Sequence, residues 1–193
     1  MYAKGWDEKL LAYLWKHKHM TPFEMAGMIM EVQAPIFVLR EWQRHRTQSF
    51  NELSARYSEL PDLFYVPSIE RIMHGKQAIK NKQGSDVGFL HAEASTISDT
   101  IRRGYERSRS EYSGLLHNGV ARELSRLLVP VGQYSRMRAS ANLRNWLDFL
   151  TLRTAEGAQY EIRVYANVVA GLIAETFPRT YALWAETQKA HQG

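Results

Sequence analysis

Residues 44–56 read Arg-His-Arg-Thr-Gln-Ser-Phe-Asn-Glu-Leu-Ser-Ala-Arg. Three arginines, a histidine, an asparagine, a glutamate and two serines stand against three apolar residues, Phe50, Leu53 and Ala55. Those three form no continuous face at either the helical or the strand period, so the segment cannot serve as a core element. It has to run at the surface, with the core supplied from either side of it. Guanidinium groups offer a rigid fork of N–H donors suited to phosphate, and serine hydroxyls or exposed backbone N–H groups complete such a site. An ionised Glu52 beside phosphate is repelled unless arginines surround it. Its better use is to accept a hydrogen bond from a sugar hydroxyl or a ring N–H. Taken alone, Arg44-His45-Arg46 also reads as a plain basic helix end favoured by the helix dipole.

The flanking sequence supplies the core. Leu10, Leu11, Leu14 and Trp15 recur at helical spacing and predict a short amphipathic helix over 7–18. Thr21-Pro22-Phe23-Glu24 has the form of a capping box with Pro22 in the first turn. Residues 25–32 read as helix or strand; Met28, Ile29, Met30 and Val32 favour a buried strand ended by Pro35, with a second helix over 36–44. Pro61, Pro67, Gly75, Gly84 and Gly88 mark loops, and 76–82 reads as a solvated basic stretch. Ile97, Ile101, Tyr105, Tyr112, Leu115 and Leu116 describe a long helix stopped by Asn118-Gly119. Val120, Leu124, Leu127 and Leu128 mark another, ended by Pro130, followed by a strand over 133–141 and a helix over 145–152. The strongest helix covers 157–177, with Ile162, Tyr165, Val169, Leu172 and Ile173 on one stripe. Pro178 opens a short last helix through Trp184. No internal repeat, low-complexity tract or linker interrupts the pattern. The expected fold is one α+β domain, 1–193, of mixed helices around a small antiparallel sheet.

Composition narrows the ligand class. A hydrophobic content of 45% and a charged content of 23% are ordinary for a soluble globular chain, and 193 residues suffice for a substantial core. The net charge of +5 and pI near 9.5 suit anionic ligands, nucleotide and polynucleotide alike. A basic nucleic-acid-binding module is therefore a competing class, resting on the Arg/Tyr-rich stretch 102–112, although no recognised motif of that kind is present. The chain has no cysteine, which excludes disulfides, thiolate metal sites and a cysteine nucleophile and is compatible with a reducing cytosol. No metal site is expected. No run approaches the roughly 20 apolar residues of a membrane span, and the first residues carry no secretory pattern. Cytoplasm is the expected compartment.

Every fixed position of residues 44–56 also matches Arg-His-Arg-x-x-Ser-x-Asn-Glu-x-Ser-x-Arg, the signature of the flavin-dependent thymidylate synthases. The chain resembles that family over most of its length from His19 onward. Thr21-Pro22-Phe23-Glu24 is similar to its upstream element, and Ala34-Pro35-Ile36-Phe37-Val38 to the run leading into the signature. Arg122 to Pro130 resembles the helix carrying a nucleotide-binding arginine, which falls on Arg126. Asn142-Leu143-Arg144 resembles the flavin-binding Asn-x-Arg. Phe149 to Arg153 places the pyrimidine-activating arginine at Arg153, and Ala158 to Arg163 resembles the opening of the last long helix. Taken singly, Arg126 and Arg153 read equally as surface or ion-paired residues, Asn142 as a helix cap, and His19 as a polar residue ahead of a helix.

The resemblance implies the fold of that family and its reaction. Thymidylate is made from dUMP, with one carbon from methylenetetrahydrofolate, a hydride from reduced FAD, and NADPH reducing the flavin. No enzyme nucleophile is needed, in keeping with the missing cysteine. The resemblance implies that Thr21, Glu24, Arg44, His45, Arg46, Glu52, Asn142, Arg144 and Asp148 hold FAD. It places Glu41, Trp42, Gln43, Arg44, Glu52, Leu53, Ser54, Ala55, Arg56 and Arg126 around the nucleotide. Arg153 is the implied catalytic residue, its guanidinium stabilising negative charge at the uracil N3/O4 edge so that C5 becomes more nucleophilic. A homotetramer with sites shared between subunits is also implied.

The chain departs from the family pattern in several places. It starts almost at the first helix, where members usually carry a longer segment with a flavin-contacting serine; a shortened member, a trimmed form or an altered flavin site is expected. Glu41 replaces the common glutamine, and a carboxylate facing phosphate is repelled unless protonated or paired. Asp148 stands where asparagine or histidine is usual, and Gly157 replaces a frequent histidine. These changes leave room for a related pyrimidine nucleotide such as dCMP as the target, or for a flavin-binding homologue without synthase activity.

Overall fold

In chain order the elements of the computed structural model are α1 (Trp6–Lys16), α2 (Thr21–Glu24), β1 (Gly27–Pro35), α3 (Ile36–Trp42), β2 (Ser49–Glu52), α4 (Ile69–Met73), β3 (Lys76–Gln77), β4 (Ser85–Asp86), α5 (His91–His117), α6 (Arg122–Ser125) continued by a 3₁₀ turn (Arg126–Leu128), β5 (Tyr134–Asn142), α7 (Leu143–Arg153), α8 (Tyr160–Thr176) and α9 (Pro178–Gln192). The structure describes residues 6–77, 85–86 and 88–192. β1, β5 and β2 form a three-stranded sheet in that order, and β3 pairs antiparallel with β4. Arg138 bonds to Glu31 and Arg136 to Gln33, both at 2.9 Å. The partners run in opposite order along the two strands, so β1 and β5 are antiparallel and locked by cross-strand polar pairs. Mixed helices and a small antiparallel sheet are the class the sequence predicts.

Two compact units are present: Met1–Met30 with Trp42–Phe50 and Ala139–Gly193, and Glu31–Glu41 with Asn51–Arg138. The first unit is built on aromatic residues of α7. Trp42 stacks on Phe149 at 4.6 Å and meets Trp146 edge-on at 6.2 Å, all three fully buried. The indole N–H of Trp146 donates to the Met28 carbonyl, that of Trp184 to the Thr151 hydroxyl, and that of Trp15 to the Thr187 hydroxyl. Large apolar rings are thereby buried without orphaning their polar handles. Ile162, Ala166, Val169, Ala170 and Ile173 line the inner face of α8.

The second unit is organised around α5 and the segment before β5. Phe64 stacks on Tyr105 of α5 at 5.0 Å. Ile36 and Phe37 donate their N–H groups to Gln133 and Val131, and Tyr65 donates to Gly132, so the opening of α3 is tied to the approach to β5. Val38, Leu39 and Met137 are buried. Along β5, Ser135 and Met137 point inward while Arg136 and Arg138 point outward, the strand alternation expected of a half-buried sheet.

Several expectations are corrected. α2 has no capping box: Met20 is the N-cap, without a side-chain bond, and Thr21 lies inside the helix. The strand β1 forms, but its outer face is solvated, with Ile29 73% exposed. α3 stops at Trp42 rather than 44. On α8 Leu172 lies outward, because apolar residues occupy two sides of that helix and only one meets α7. Leu124 and Leu127, expected on the apolar face of a helix, are both exposed. α9 continues beyond Trp184 to Gln192. α4 appears where loops were expected, started by Ser68, whose hydroxyl accepts from the Arg71 N–H at 3.1 Å. Of the basic stretch 76–82, residues 78–82 lie outside the described residues, as does Gly84.

Candidate active site

Residues 43–48 form a tight turn after α3, pinned at both ends. The His45 N–H bonds to the Trp42 carbonyl at 3.0 Å and the Gln48 N–H to the His45 carbonyl at 3.1 Å. Buried Gln48 accepts from the Trp42 indole N–H at 3.0 Å. Asn145, Phe149 and Arg153 are four residues apart on α7 and so share one face. That face holds the turn. The Asn145 amide donates to the Thr47 carbonyl at 3.2 Å, the His45 ring lies edge-on to Phe149 at 4.9 Å, and Arg153 Nε donates to His45 Nε2 at 2.8 Å. Two of the residues implied by resemblance, His45 and Arg153, are thus in direct contact. Burial first, and the Arg153 charge second, push the His45 pKa down from 6.5 to about 4. At neutral pH His45 is an uncharged acceptor toward Arg153.

A second stripe on α7 carries Arg144 and Asp148. Arg144 pairs with Glu24 of α2. Burial raises the Asp148 pKa above the usual carboxylate value, opposed by the charges of Arg144 and Lys18. Asn142 caps α7, its side-chain oxygen accepting from the Asn145 N–H at 2.9 Å. Thr21 is exposed at the start of α2, and Gln43 is half-buried in the turn. Arg44 and Arg46 are exposed and, among the described residues, pair with no carboxylate. Exposed guanidinium groups without a carboxylate partner are the donor type that suits phosphate oxygens.

The second half of the polar segment belongs to the other unit. The Leu53 N–H bonds to the Arg136 carbonyl at 2.8 Å and fixes the segment to β5. Ser54 then closes a turn, its hydroxyl accepting from the Arg56 N–H and its carbonyl from the N–H groups of Tyr57 and Ser58. Glu52, Leu53, Ser54, Ala55 and Arg126 line a cavity of about 530 Å³, within the usual range for a small-molecule site. Arg56 is not on its wall; its guanidinium pairs with Glu123 at 3.4 Å, both side chains about half exposed. Such a surface pair is worth at most about 1 kcal/mol and exchanges partners readily. Glu41 is half-buried and also off this wall.

Arg40 and Ser135 line the same cavity and were not singled out by the sequence. A signal for each existed. Ile36 and Arg40 are one helical turn apart, so a helix over this stretch puts both on one face, and strand alternation sets Ser135 on the side of Met137.

A family profile described as thymidylate synthase complementing protein matches residues 1–179. A flavin-dependent thymidylate synthase of Thermus thermophilus is 42% identical over 93% of this chain and 64% of its own length. That of Wolbachia pipientis wMel is 41% identical, covering 96% and 66%. Among solved structures, the UMP/dUMP methylase PolB from Streptomyces cacaoi bound with 5-Br UMP matches with a TM-score of 0.87 at 35% identity, over 96% of this chain and 84% of that one. Its 5-Br dUMP complex gives 0.86 at 34% identity, over 96% and 82%. The chain belongs to the flavin-dependent thymidylate synthase family. It spans slightly under two thirds of the length of the first curated relatives it matches.

Proposed function

We propose that this chain carries out the reductive methylation of dUMP to dTMP, with methylenetetrahydrofolate as carbon donor, reduced FAD as hydride donor and NADPH as reductant of the flavin. The observation that carries this reading is the cavity of about 530 Å³ that gathers Glu52, Ser54 and Ala55 of the signature with Arg126 from far along the chain. Arg126, the Ser54 hydroxyl and the Ala55 N–H hold the nucleotide phosphate, with Arg56 released from its weak surface pair to join them. Glu52 accepts from a sugar hydroxyl or ring N–H. In the first unit, Arg44 and Arg46 take the FAD diphosphate, and Thr21, Glu24, Asn142, Arg144 and Asp148 complete the flavin surface. Reduced flavin supplies the hydride; the protein aligns the ligands and tunes their charge.

Arg153 is the catalytic residue in this reading. Its guanidinium stabilises the negative charge that grows on the uracil N3/O4 edge as C5 attacks the methylene carbon. Neutral His45 holds Arg153 by its Nε donor and so sets the direction of the guanidinium plane. Val164, Val168 and Leu172 form an exposed apolar stripe on α8, four residues apart. An uncovered stripe of this kind supports association between copies, as the expected homotetramer requires.

A second reading keeps the chemistry and widens the substrate to UMP. It is favoured by the similarity to a protein described as a UMP/dUMP methylase. One sample tests both: a flavin absorbance spectrum, then incubation with methylenetetrahydrofolate, NADPH and either dUMP, UMP or dCMP. A yellow protein that forms dTMP from dUMP is expected. Protein that stays colourless after FAD is added, or that turns over only dCMP, removes the thymidylate reading.

A further inference from the structure

We propose that Arg40 and Ser135 complete the phosphate-binding wall of the cavity, Arg40 as a second guanidinium beside Arg126 and Ser135 as a hydroxyl donor to the same phosphate. The assignment rests on reading the cavity as a nucleotide site. Three features carry it. Ser135 is 1% exposed, and its Oγ has no hydrogen-bond partner among the described residues, although the residue stands on the cavity wall. A buried hydroxyl left without a partner is destabilising, and buried polar groups of this kind are ordinarily satisfied. A ligand oxygen reaching the wall supplies the missing bond.

The second feature is charge. Arg40 and Arg126 both line the cavity, and neither pairs with a carboxylate among the described residues. Among the described residues, Glu52 is the one carboxylate on the wall. Two cations against one anion leave a positive surplus, suited to a 5′-phosphate carrying a charge of about −2 at neutral pH. Third, both residues stand on one backbone frame. Arg40 lies in the last turn of α3, whose opening N–H groups bond to Val131 and Gln133, directly before β5 and Ser135. The donors are therefore pre-positioned rather than carried on a free loop. Arg40 donates two N–H groups to non-bridging phosphate oxygens, and Ser135 donates one O–H.

The test is calorimetric binding to the FAD-loaded protein of dUMP and, at millimolar concentration, deoxyuridine, which lacks the phosphate. Arg40→Ala is expected to weaken dUMP binding about 10- to 100-fold, the scale of a lost hydrogen bond to a charged group, and to leave deoxyuridine binding unchanged. Ser135→Ala is expected to weaken dUMP binding several-fold with the same selectivity. Arg40→Lys, which keeps charge but loses the fork, should fall between wild type and Arg40→Ala, and serves if the alanine variant fails to fold. Equal weakening for dUMP and deoxyuridine marks a structural role and overturns the assignment. Wild-type affinity for dUMP in both variants, with Arg126→Ala weakened, also overturns it while the nucleotide reading stands. Absence of dUMP binding by the wild-type protein removes that reading and the assignment with it.

Discussion

A histidine whose acceptor nitrogen holds an arginine N–H cannot take up a proton without ejecting its partner. His45 is in that position toward Arg153, and its pKa falls to about 4. The unfolded chain binds this proton below about 6.5, whereas the folded chain binds it only near 4. Between those values the unfolded state holds more protons, so stability is complete above 6.5 and declines as pH drops through the window. His45→Gln is expected to flatten the pH dependence of the thermal midpoint between 6.5 and 4; profiles parallel to wild type would refute the linkage. Asp148 has the opposite sign. Its raised pKa means that folding disfavours the carboxylate, a cost present above its folded pKa and absent where both states are protonated. Asp148→Asn is expected to raise the melting temperature at neutral pH, with the gain vanishing in acid. Arg153→Ala should retain flavin absorbance while turnover drops on the order of 10²–10³-fold; near-normal turnover would take Arg153 out of the chemistry. Much of this was legible in residues 44–56 because many chemically restrictive positions coincide there. Arg40 and Ser135 belong to no motif; helix and strand periods give the face of each, but only the folded backbone brings those faces to the same wall as Arg126.

At the level of elements, the turn after α3 depends on an aromatic anchor and the approach to β5 on a missing side chain. Trp42 is buried against Phe149 and Trp146, and Trp42→Ala is expected to cost about 3–5 kcal/mol in denaturant unfolding. Gly132 is fully packed against α5: a Cβ there would lie 1.9 Å from the Tyr105 hydroxyl oxygen and 2.6 Å from Cζ. Gly132→Ala is expected to destabilise by about 1–3 kcal/mol through overpacking. Tyr105→Leu in the same chain should recover part of that loss, and strict additivity of the two changes would argue against the contact. Long helices were readable from periodicity, as α5 and its stop at Asn118-Gly119 illustrate, where Gly119 adopts φ +76°. Short or half-exposed elements were less so. α4 is too brief for a 3.6-residue period to register, although Ser68 was a readable cap. β1 announces strand by its apolar residues, but residue type does not say which face meets a neighbour, and Ile29 remains outside.

For the whole molecule, the most informative surface is the outer stripe of α8. A chain that leaves Val164, Val168 and Leu172 uncovered exposes apolar area that association would remove from water. Val168→Lys, at a position 61% exposed, is expected to leave the circular dichroism spectrum intact while shifting the light-scattering mass toward the monomer. An unchanged mass would remove this stripe as support for the proposed association. Periodicity foretold a well-formed helix here but put Leu172 on the inner stripe, because a helix apolar on two sides carries no internal mark of which side is covered. No helix among the described residues is long and apolar enough to cross a membrane. The polar segment itself is divided between the units, residues up to Phe50 in one and from Asn51 in the other, with the boundary inside β2. Strand residues alternate sides one by one, so a single inserted residue in β2 would reverse the side presented by Glu52 while leaving Arg44 to Arg46 in their turn. Residues 44–56 are therefore held in their number as well as in their letters: here length is a phase, and one step puts it out.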